Sequence, residues 1–251
     1  MKPCKYKIVS YQENCQKVKE YIKDILNKNQ FIYSDKEAEL IISLGGDGTF
    51  LSSMHDNNFN GSYLSINLGH LGFFSDYQNN EVDKAIDDIL NKDMIIEKCK
   101  LLKVKYSEEE KNFFADIVLN SIKTVDINLK VNDKHIVTSK ANGIVISSPI
   151  GSTGYNFSLN SPVCFFSDSI MIYSLIAPVR NKMNQNVIAK GIIKDSDVLT
   201  LDCKGDSYFT LDGKMIINRE NLSLVISKSD KEVTLCHFKK IDSITRIKKS
   251  I

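Results

Sequence analysis

The sequence lacks several features that would assign it to a common class of protein. Its opening residues, MKPCK, contain no apolar core of a secretory signal, and no stretch approaches the run of about 18 apolar residues that spans a membrane. The six cysteines are scattered without a Cys-x-x-Cys pair, and the four histidines show no metal-ligand spacing. We therefore expect a cytoplasmic protein with reduced thiols, no membrane segment and no bound zinc.

Three common catalytic and nucleotide-binding motifs are also missing. The sequence has no G-x-S-x-G nucleophile elbow, no G-x-x-x-x-G-K-[ST] phosphate loop, and no G-x-G-x-x-G after its first predicted strand. A net charge of +2 also argues against a dedicated nucleic-acid or membrane-surface binder. If the protein binds phosphate, it does so with a different kind of loop.

The predicted elements divide the 251-residue chain near residue 98. Before that point strands alternate with amphipathic helices, which predicts a parallel sheet covered by helices on both sides. After it, many short strands with turn signals indicate a β-rich second domain. The predicted strands are 6–11, 31–33, 39–43, 62–67, 100–106, 113–122, 169–176, 197–202, 208–211, 222–227 and 233–237, with a charged turn at 108–111 and a hairpin at 125–138. The predicted helices are 15–27, one from Thr49 to near Asn57 and Asn58, and one from Asn79 or Asn80 onward. Residues 241–251 fit either a helix or a loose tail.

Residues 44–50, LGGDGTF, follow a buried strand and lead into a predicted helix. Glycine lets a backbone approach phosphate closely, and the first helical N–H groups point at an anion, so Gly45, Gly46, Gly48 and Thr49 are candidate phosphate-binding residues. A carboxylate beside phosphate is costly unless it holds a metal, accepts a proton or orients a hydroxyl. Asp47 is therefore a candidate catalytic residue. The alternative is a turn residue or helix cap.

A second glycine turn, NLGHLGFF at 67–74, follows the predicted strand at 62–67. Ligands of open parallel sheets gather at the carboxyl ends of the strands, so we expect the two glycine turns to lie together there. His70, inside this turn, is the histidine of most interest.

A third segment, residues 142–158, runs from an apolar strand into a turn rich in hydroxyl and amide side chains. Such groups, with exposed backbone amides, suit a ligand that carries ribose hydroxyls and phosphates. Tyr155 is placed to stack on a base or to close the pocket. A surface loop without function is the commoner outcome for this composition.

Taken together, these segments resemble the bacterial NAD kinases. The resemblance rests on GGDGT at 45–49, NLGHLGF at 67–73, Leu119-Asn120, the segment from Gly143 through Ser158, and Asp212-Gly213, in family order. GGDGT alone is shared with lipid kinases and, more distantly, phosphofructokinases. Its pairing with NLGHLGF and PxGSTxYNxS is highly specific.

The resemblance implies an α/β plus all-β fold with three parts. They are an N-terminal Rossmann-like parallel sheet with helices (residues 1–98), a C-terminal β-sandwich that binds the dinucleotide (99–237), and a final segment (238–251) that returns to the first domain. The active site is expected in the cleft between the domains of a homodimer or homotetramer. The reaction would transfer phosphate from ATP, or in some members polyphosphate, to the 2′-hydroxyl of the adenosine ribose of NAD, with Mg²⁺ as cofactor and NADP as product.

The family's motifs also assign roles to residues of this sequence. Asp47 matches the aspartate regarded as general base toward the ribose hydroxyl, which agrees with a reaction that depends on positioning and charge neutralisation. Asp212 also matches a residue of the family that contacts NAD, but this assignment is weaker, because Asp-Gly is also an ordinary hairpin turn. The residues expected to contact NAD by motif are Asp47, Gly48, Phe73, Asn120, Thr153, Gly154, Tyr155, Asn156 and Ser158.

Two positions of the expected NAD site depart from the family pattern: Ser121 replaces a usual glutamate, and Asn142 replaces a usual aspartate. Lys140, two residues before Asn142, stands where an arginine is common. Loss of a charge-assisted hydrogen bond costs roughly 1.5–3 kcal/mol, or about 10- to 100-fold in affinity. We predict a functional kinase with weaker or altered NAD contacts.

Two alternatives remain at this point. A GGDGT-type lipid kinase would need an apolar entrance and leaves NLGHLGF and GSTGYNFS unexplained. A catalytically weak NAD(P)-binding regulator derived from the kinase is favoured only by Ser121 and Asn142.

Overall fold

In a computed structural model, which describes residues 4–69, 72–165, 169–179, 187–238 and 243–250, the chain forms two compact units. The first unit comprises residues 1–99 and 232–251, and the second comprises residues 100–231. The end of the chain thus belongs to the same unit as its beginning.

The sheet of the first unit is parallel. Its strands are β1 (Lys5–Val9), β2 (Ile32–Tyr33), β3 (Leu40–Leu44), β4 (Ser62–Asn67), β5 (Tyr77–Gln78) and the end of β13 (Lys214–His237). Their order is β13-β4-β3-β1-β2, with β5 beside β4. All five residues of β3 are buried, as expected for a central strand covered on both faces.

Three helices flank the sheet: α1 (Gln16–Lys28), α2 (Asp47–Asp56) and α3 (Val82–Asn91). Helix α1 buries Ile22 and Leu26 in the core of the unit, where Cys236 and Phe238 from the end of the chain also pack. A 3₁₀ turn precedes α3, and its Glu81 side chain accepts the Gln78 N–H at 3.1 Å. The turn begins at Asn79 with Gln78 as its N-cap, and Glu81 is the N-cap of α3, so the predicted cap at Asn79 or Asn80 is wrong.

The second unit is an antiparallel sheet domain. Its strands are β6 (Ile95–Tyr106), β7 (Glu109–Phe113), β8 (Asp116–Val131), β9 (Lys134–Ser147), β10 (Ile170–Ile176), β11 (Lys190–Lys194), β12 (Leu199–Leu211) and most of β13. The β6–β7 hairpin contributes Leu102 and Phe113 to the same core that Leu119 and Leu224 enter from the long strands. The predicted fold, a parallel α/β part followed by an antiparallel β part, is confirmed.

Local details show where strand prediction succeeded and failed. Asn132 and Asp133 both have positive φ, so β8 and β9 form the predicted hairpin. The two strands predicted at 197–202 and 208–211 are one strand, β12, with an irregularity between Cys203 and Asp206. The strands predicted at 222–227 and 233–237 are likewise both parts of β13, and the turn predicted at 108–111 is wrong, because β7 begins at Glu109. Strand β11 was not predicted. A short helix, α4 (Tyr155–Ser158), follows β9. The last described segment is also a helix, α5 (Ser243–Ser250), which is one of the two outcomes expected for the end of the chain.

Candidate active site

The glycine loop of the first unit contains glycines of two kinds. Gly45 has φ +147°, and a Cβ there would lie 2.4 Å from Thr49 Oγ1, so the fold itself requires glycine. Gly46 and Gly48 have no atom within 4 Å of an added Cβ and no positive φ. The fold does not require glycine at these two positions, and their open surroundings leave room for a ligand at the start of α2.

Asp47, the first residue of α2, is held by the second glycine turn. Its Oδ2 accepts the Phe73 N–H at 2.9 Å, and its Oδ1 accepts the Phe74 N–H at 3.1 Å. The two glycine turns therefore lie together at the carboxyl ends of β3 and β4, as predicted. The side chain is only partly buried, and an ionised carboxylate with two hydrogen bonds keeps further lone-pair positions for a ligand hydroxyl.

The second glycine turn is anchored by side chains beneath it. The fully buried Asn67 accepts the Gly69 N–H at 2.8 Å, and an added Cβ at Gly72 would lie 2.8 Å from Ser75 Oγ. The Phe74 ring stacks on Phe50 of α2, with centroids 5.1 Å apart. His70 and Leu71 lie outside the described residues. The described part of the turn is thus a fixed support for Asp47.

In the second unit, the turn at residues 150–158 follows β9 and packs closely against β8. A Cβ on Gly151 would lie 2.1 Å from the Ala115 carbonyl oxygen. Thr153 Oγ1 donates to the Ile150 carbonyl at 3.1 Å, and the fully buried Asn156 donates to the Ile172 carbonyl at 3.4 Å. Tyr155 is 37% exposed, so its ring is available to a ligand. Of the predicted contacts here, Thr153 and Asn156 shape the turn, whereas Gly154, Tyr155 and Ser158 lie at its surface.

The carboxyl group of Asp116, which lies beside this turn, was not predicted from the sequence. It accepts the Tyr155 N–H, and a Cβ on Gly154 would lie 3.4 Å from its Oδ2. Burial raises the pKa of Asp116 to about 7; the nearby Asp212 carboxylate adds to the rise, and the Tyr155 hydrogen bond opposes it. Carboxyl groups that titrate near neutrality are typical of functional sites. In the sequence Asp116 is only an acid at the start of a predicted strand, so no local pattern marks it.

Asp212 holds the same region by hydrogen bonds to its backbone. It occupies the β12–β13 turn with φ +49°, and Gly213 follows with φ +79°. Its carboxylate accepts the N–H groups of Phe114, Ala115 and Asp116 at 2.8, 2.7 and 3.1 Å. With 6% exposure, the residue fixes the start of β8.

The other predicted residues of the second unit form a separate cluster. Asn142 Nδ2 lies 3.4 Å from the carbonyl oxygens of Ser121 and Ile122. Ser121 Oγ in turn donates to the Asp206 carbonyl at 2.6 Å. The Lys140 ammonium group lies 3.4 Å from Asp126 Oδ1, and both side chains are exposed.

The strand register places the two clusters apart. Asn120 pairs with Gly143, whereas Asp116 pairs with Ser147, so about 13 Å of strand separates the two positions on β8. The structure therefore brings Asp116 to the 154–158 turn and leaves Asn120, Ser121 and Asn142 farther along the sheet. A dinucleotide carries two nucleosides, so a ligand of this kind can contact both clusters at once.

A cavity of about 380 Å³ adjoins the 154–158 turn. Its size falls at the small end of ligand pockets. The Lys190 ammonium group crosses its rim and donates to the Asn160 carbonyl at 2.9 Å. The residues that line the cavity are Ser158, Leu159, Asn160, Leu175, Ala177, Pro178, Ala189 and Lys190.

Comparison with known proteins identifies the class of both units. Residues 6–94 match the model of the ATP-NAD kinase N-terminal domain, and residues 117–238 match that of the C-terminal domain. Both units are thus domains of one family of kinases. The chain belongs to the NAD kinase family.

Individual relatives agree with this assignment. The chain is similar to the NAD kinase of Lactobacillus acidophilus, with 28% identity over 78% of this chain and 77% of the relative. It is 25% identical to the NAD kinase of Enterococcus faecalis over 94% of each chain.

Two solved structures share the fold. An NAD kinase from Archaeoglobus fulgidus in complex with ATP matches with a TM-score of 0.76 and 18% identity, over 98% of this chain and 99% of that chain. Yeast NADH kinase complexed with NADH matches with a TM-score of 0.79 and 14% identity, over 98% of this chain and 86% of that chain.

Proposed function

We propose that the protein transfers the γ-phosphoryl group of ATP to the 2′-hydroxyl of the adenosine ribose of NAD, giving NADP and ADP. The observation that carries this proposal is the state of Asp47. Its carboxylate is fixed by two backbone amides, partly exposed, and set in a glycine loop with open space at Gly46 and Gly48.

In this proposal Asp47 is the general base. A ribose hydroxyl is a weak nucleophile, so a carboxylate that accepts its proton helps the hydroxyl oxygen to bond to the γ-phosphorus. The bond from that phosphorus to the β-γ bridging oxygen breaks, and ADP leaves with that oxygen. The backbone N–H groups at the start of α2, with Gly45, Gly46, Gly48 and Thr49, would hold the phosphates near the reacting hydroxyl.

The dinucleotide contacts are assigned to both units. Gly48 and Phe73 in the first unit, and Asn120 and the 153–158 turn in the second, are the proposed NAD contacts. The ring of Tyr155, 37% exposed, would stack on a base. Asp116 supplies a carboxyl group at this turn, whereas Ser121 and Asn142, in the other cluster of the same unit, carry none.

We further propose Mg²⁺ as the cofactor that accompanies ATP. Among the described residues, no group of three or more His, Cys, Asp or Glu side chains is arranged to hold a metal. Mg²⁺ takes carboxylate and phosphate oxygens as ligands, and the partly exposed Asp47 carboxylate is the acid of the glycine loop, so the loop fits an ion held mainly by phosphate oxygens. When bound, Mg²⁺ would neutralise charge on the triphosphate.

Cellular location and assembly are also proposals. We place the protein in the cytoplasm, where its six free thiols would stay reduced. Within the described residues, no helix has the length and apolar character to cross a membrane. We also propose a homodimer or homotetramer, as the family resemblance implies. Light scattering of the purified protein would give the oligomeric state.

The test is direct. The purified protein is incubated with ATP, Mg²⁺ and NAD, and NADP is measured through an NADP-specific dehydrogenase. Formation of NADP supports the proposal, and parallel reactions with polyphosphate and with NADH define donor and acceptor. Labelling of diacylglycerol or sphingosine without NADP would favour the lipid kinase. Binding of NAD without turnover would favour the regulator.

A further inference from the structure

His237, near the end of β13, lies between two carboxylates of the first unit. Its Nδ1 is 2.6 Å from Asp76 Oδ2, and its Nε2 is 3.1 Å from Glu97 Oε2. The side chains of His237 and Asp76 are 9% and 1% exposed, whereas that of Glu97 is 44% exposed. The histidine thus joins a buried acid to an acid at the surface.

Each ring nitrogen of His237 thus has a carboxylate oxygen within hydrogen-bonding distance. A buried polar group is costly unless it is hydrogen-bonded, and His237 is such a partner for the buried Asp76. The contact therefore fixes the position of Asp76.

Asp76 lies at the end of the segment that holds Asp47. Three residues before it is Phe73, whose N–H, together with that of Phe74, binds the Asp47 carboxylate. The Asp76 N–H donates to the Ser65 carbonyl of β4 at 3.3 Å, and the Ser75 and Ser65 hydroxyls are 3.1 Å apart. The segment 73–76 is thus held by Asp47 at one end, by β4 along its length, and by His237 at the other end.

We propose that His237 is a positioning residue for Asp47. Acting through Asp76, it fixes the two amides that orient the carboxylate, although His237 lies in the last strand and Asp47 begins helix α2. The role in catalysis rests on the proposed function. General base catalysis is sensitive to such placement, since a displacement of about 1 Å can cost on the order of 100-fold in rate.

The test compares His237→Leu with His237→Asn, in which the amide nitrogen stands in for Nδ1 and can still donate to Asp76. We expect His237→Leu to lower kcat by about 10- to 100-fold with the KM values for ATP and NAD changed less than about threefold. We expect His237→Asn to recover most of the kcat. His135→Leu, at an exposed histidine of the second unit, is the matched control and should leave kcat unchanged. A folded His237→Leu variant with wild-type kcat would overturn the proposal.

Two further measurements keep the test decisive. If His237→Leu does not fold, His237→Asn is compared with His237→Gln, whose longer amide reaches toward Glu97 instead; equal kcat values for the two would overturn the proposal. If the wild-type protein makes no NADP, the proposed function fails on its own. The positioning role is then judged by hydrogen exchange at the Phe73 and Phe74 amides, which should be at least about 10-fold faster in His237→Gln than in His237→Asn. Unchanged exchange would overturn it.

Discussion

Each unit contains an Asp-Gly pair whose aspartate accepts hydrogen bonds from neighbouring backbone N–H groups. Asp47 accepts two, is partly exposed, and begins a helix. Asp212 accepts three, is 6% exposed, and has φ +49° in a hairpin turn. The same dipeptide and the same kind of contact thus give two different carboxylates. That of Asp47 is accessible to a ligand, and that of Asp212 is a buried structural group. Exposure and backbone conformation, rather than residue type, separate the two roles.

The largest expected effect is on catalysis at Asp47. Asp47→Asn removes the proton acceptor while its carbonyl oxygen still accepts one of the two amides. We expect kcat for NADP formation to fall by about 10²–10⁴-fold, with the melting temperature lowered only slightly. Asp87→Asn, at an exposed acid of α3, is the control. If Asp47→Asn kept more than about a tenth of the wild-type kcat, Asp47 would belong with Asp212 as a structural residue.

The opposite pattern is expected at Asp212. Asp212→Ala removes the carboxylate that accepts from two buried N–H groups and one partly buried N–H group, at about 1–3 kcal/mol for each that finds no water. We expect the folded state to lose at least about 3 kcal/mol in urea unfolding, and kcat below the melting temperature to stay within about threefold of wild type. Asp212→Ala also places alanine at a positive φ, which adds backbone strain to the loss of the acceptor. Asp212→Asn separates these two causes, since asparagine tolerates positive φ but lacks the charge. A loss of NAD affinity at unchanged stability would instead make Asp212 a ligand contact, as the family motif implies.

A smaller effect is expected at the glycines of the loop. An alanine at Gly48 meets no atom within 4 Å and sits in α2, so it should leave stability unchanged or raise it by about 0.5–1 kcal/mol. Because the methyl group fills the space proposed for phosphate, we expect the KM for ATP or NAD to rise about 10-fold, or 1.4 kcal/mol. Gly45→Ala is the matched contrast, since its Cβ would meet Thr49 and the protein should unfold more easily. Wild-type KM values in Gly48→Ala would remove the case for close ligand approach.

The sequence predicted those parts of the structure that depend on local pattern. Strand β4 was predicted with its observed bounds, because its apolar residues form one short run and turn residues flank that run directly on both sides. The break predicted inside β12 was wrong, because Gly205 lies in a strand irregularity rather than in a turn. A sequence signal for a turn does not distinguish the two.

The candidate site shows the same limit. The glycine loop could be predicted because its chemistry lies in five consecutive residues. The amides that bind Asp47 come from 26 and 27 residues away, and those that bind Asp212 from 96 to 98 residues away. Asp116 became visible only through its strand register and its neighbours, which no local pattern contains. Contacts of this range depend on the packing of the whole unit.

The smallest effect is expected at Asp116. Its carboxyl group lies beside the 154–158 turn, where a ligand is proposed to bind, and near the structural carboxylate of Asp212. The folded pKa of Asp116 is raised from 3.8 to about 7, so the folded state binds this proton more tightly than the unfolded chain does. The stabilisation from that proton is complete below the ordinary pKa and is lost as pH rises to about 7. Asp116→Asn carries no titrating proton, so its melting temperature relative to wild type should rise between pH 5 and pH 8. Solvent screening of a partly exposed group limits the change to about 1 kcal/mol, or roughly 2–4 °C. Asp126→Asn, at an exposed acid of the same strand, should give a curve parallel to wild type. A parallel curve for Asp116→Asn as well would mean that Asp116 is ionised throughout this range, and that the frame around Asp212 leaves it as open to solvent as an ordinary surface acid.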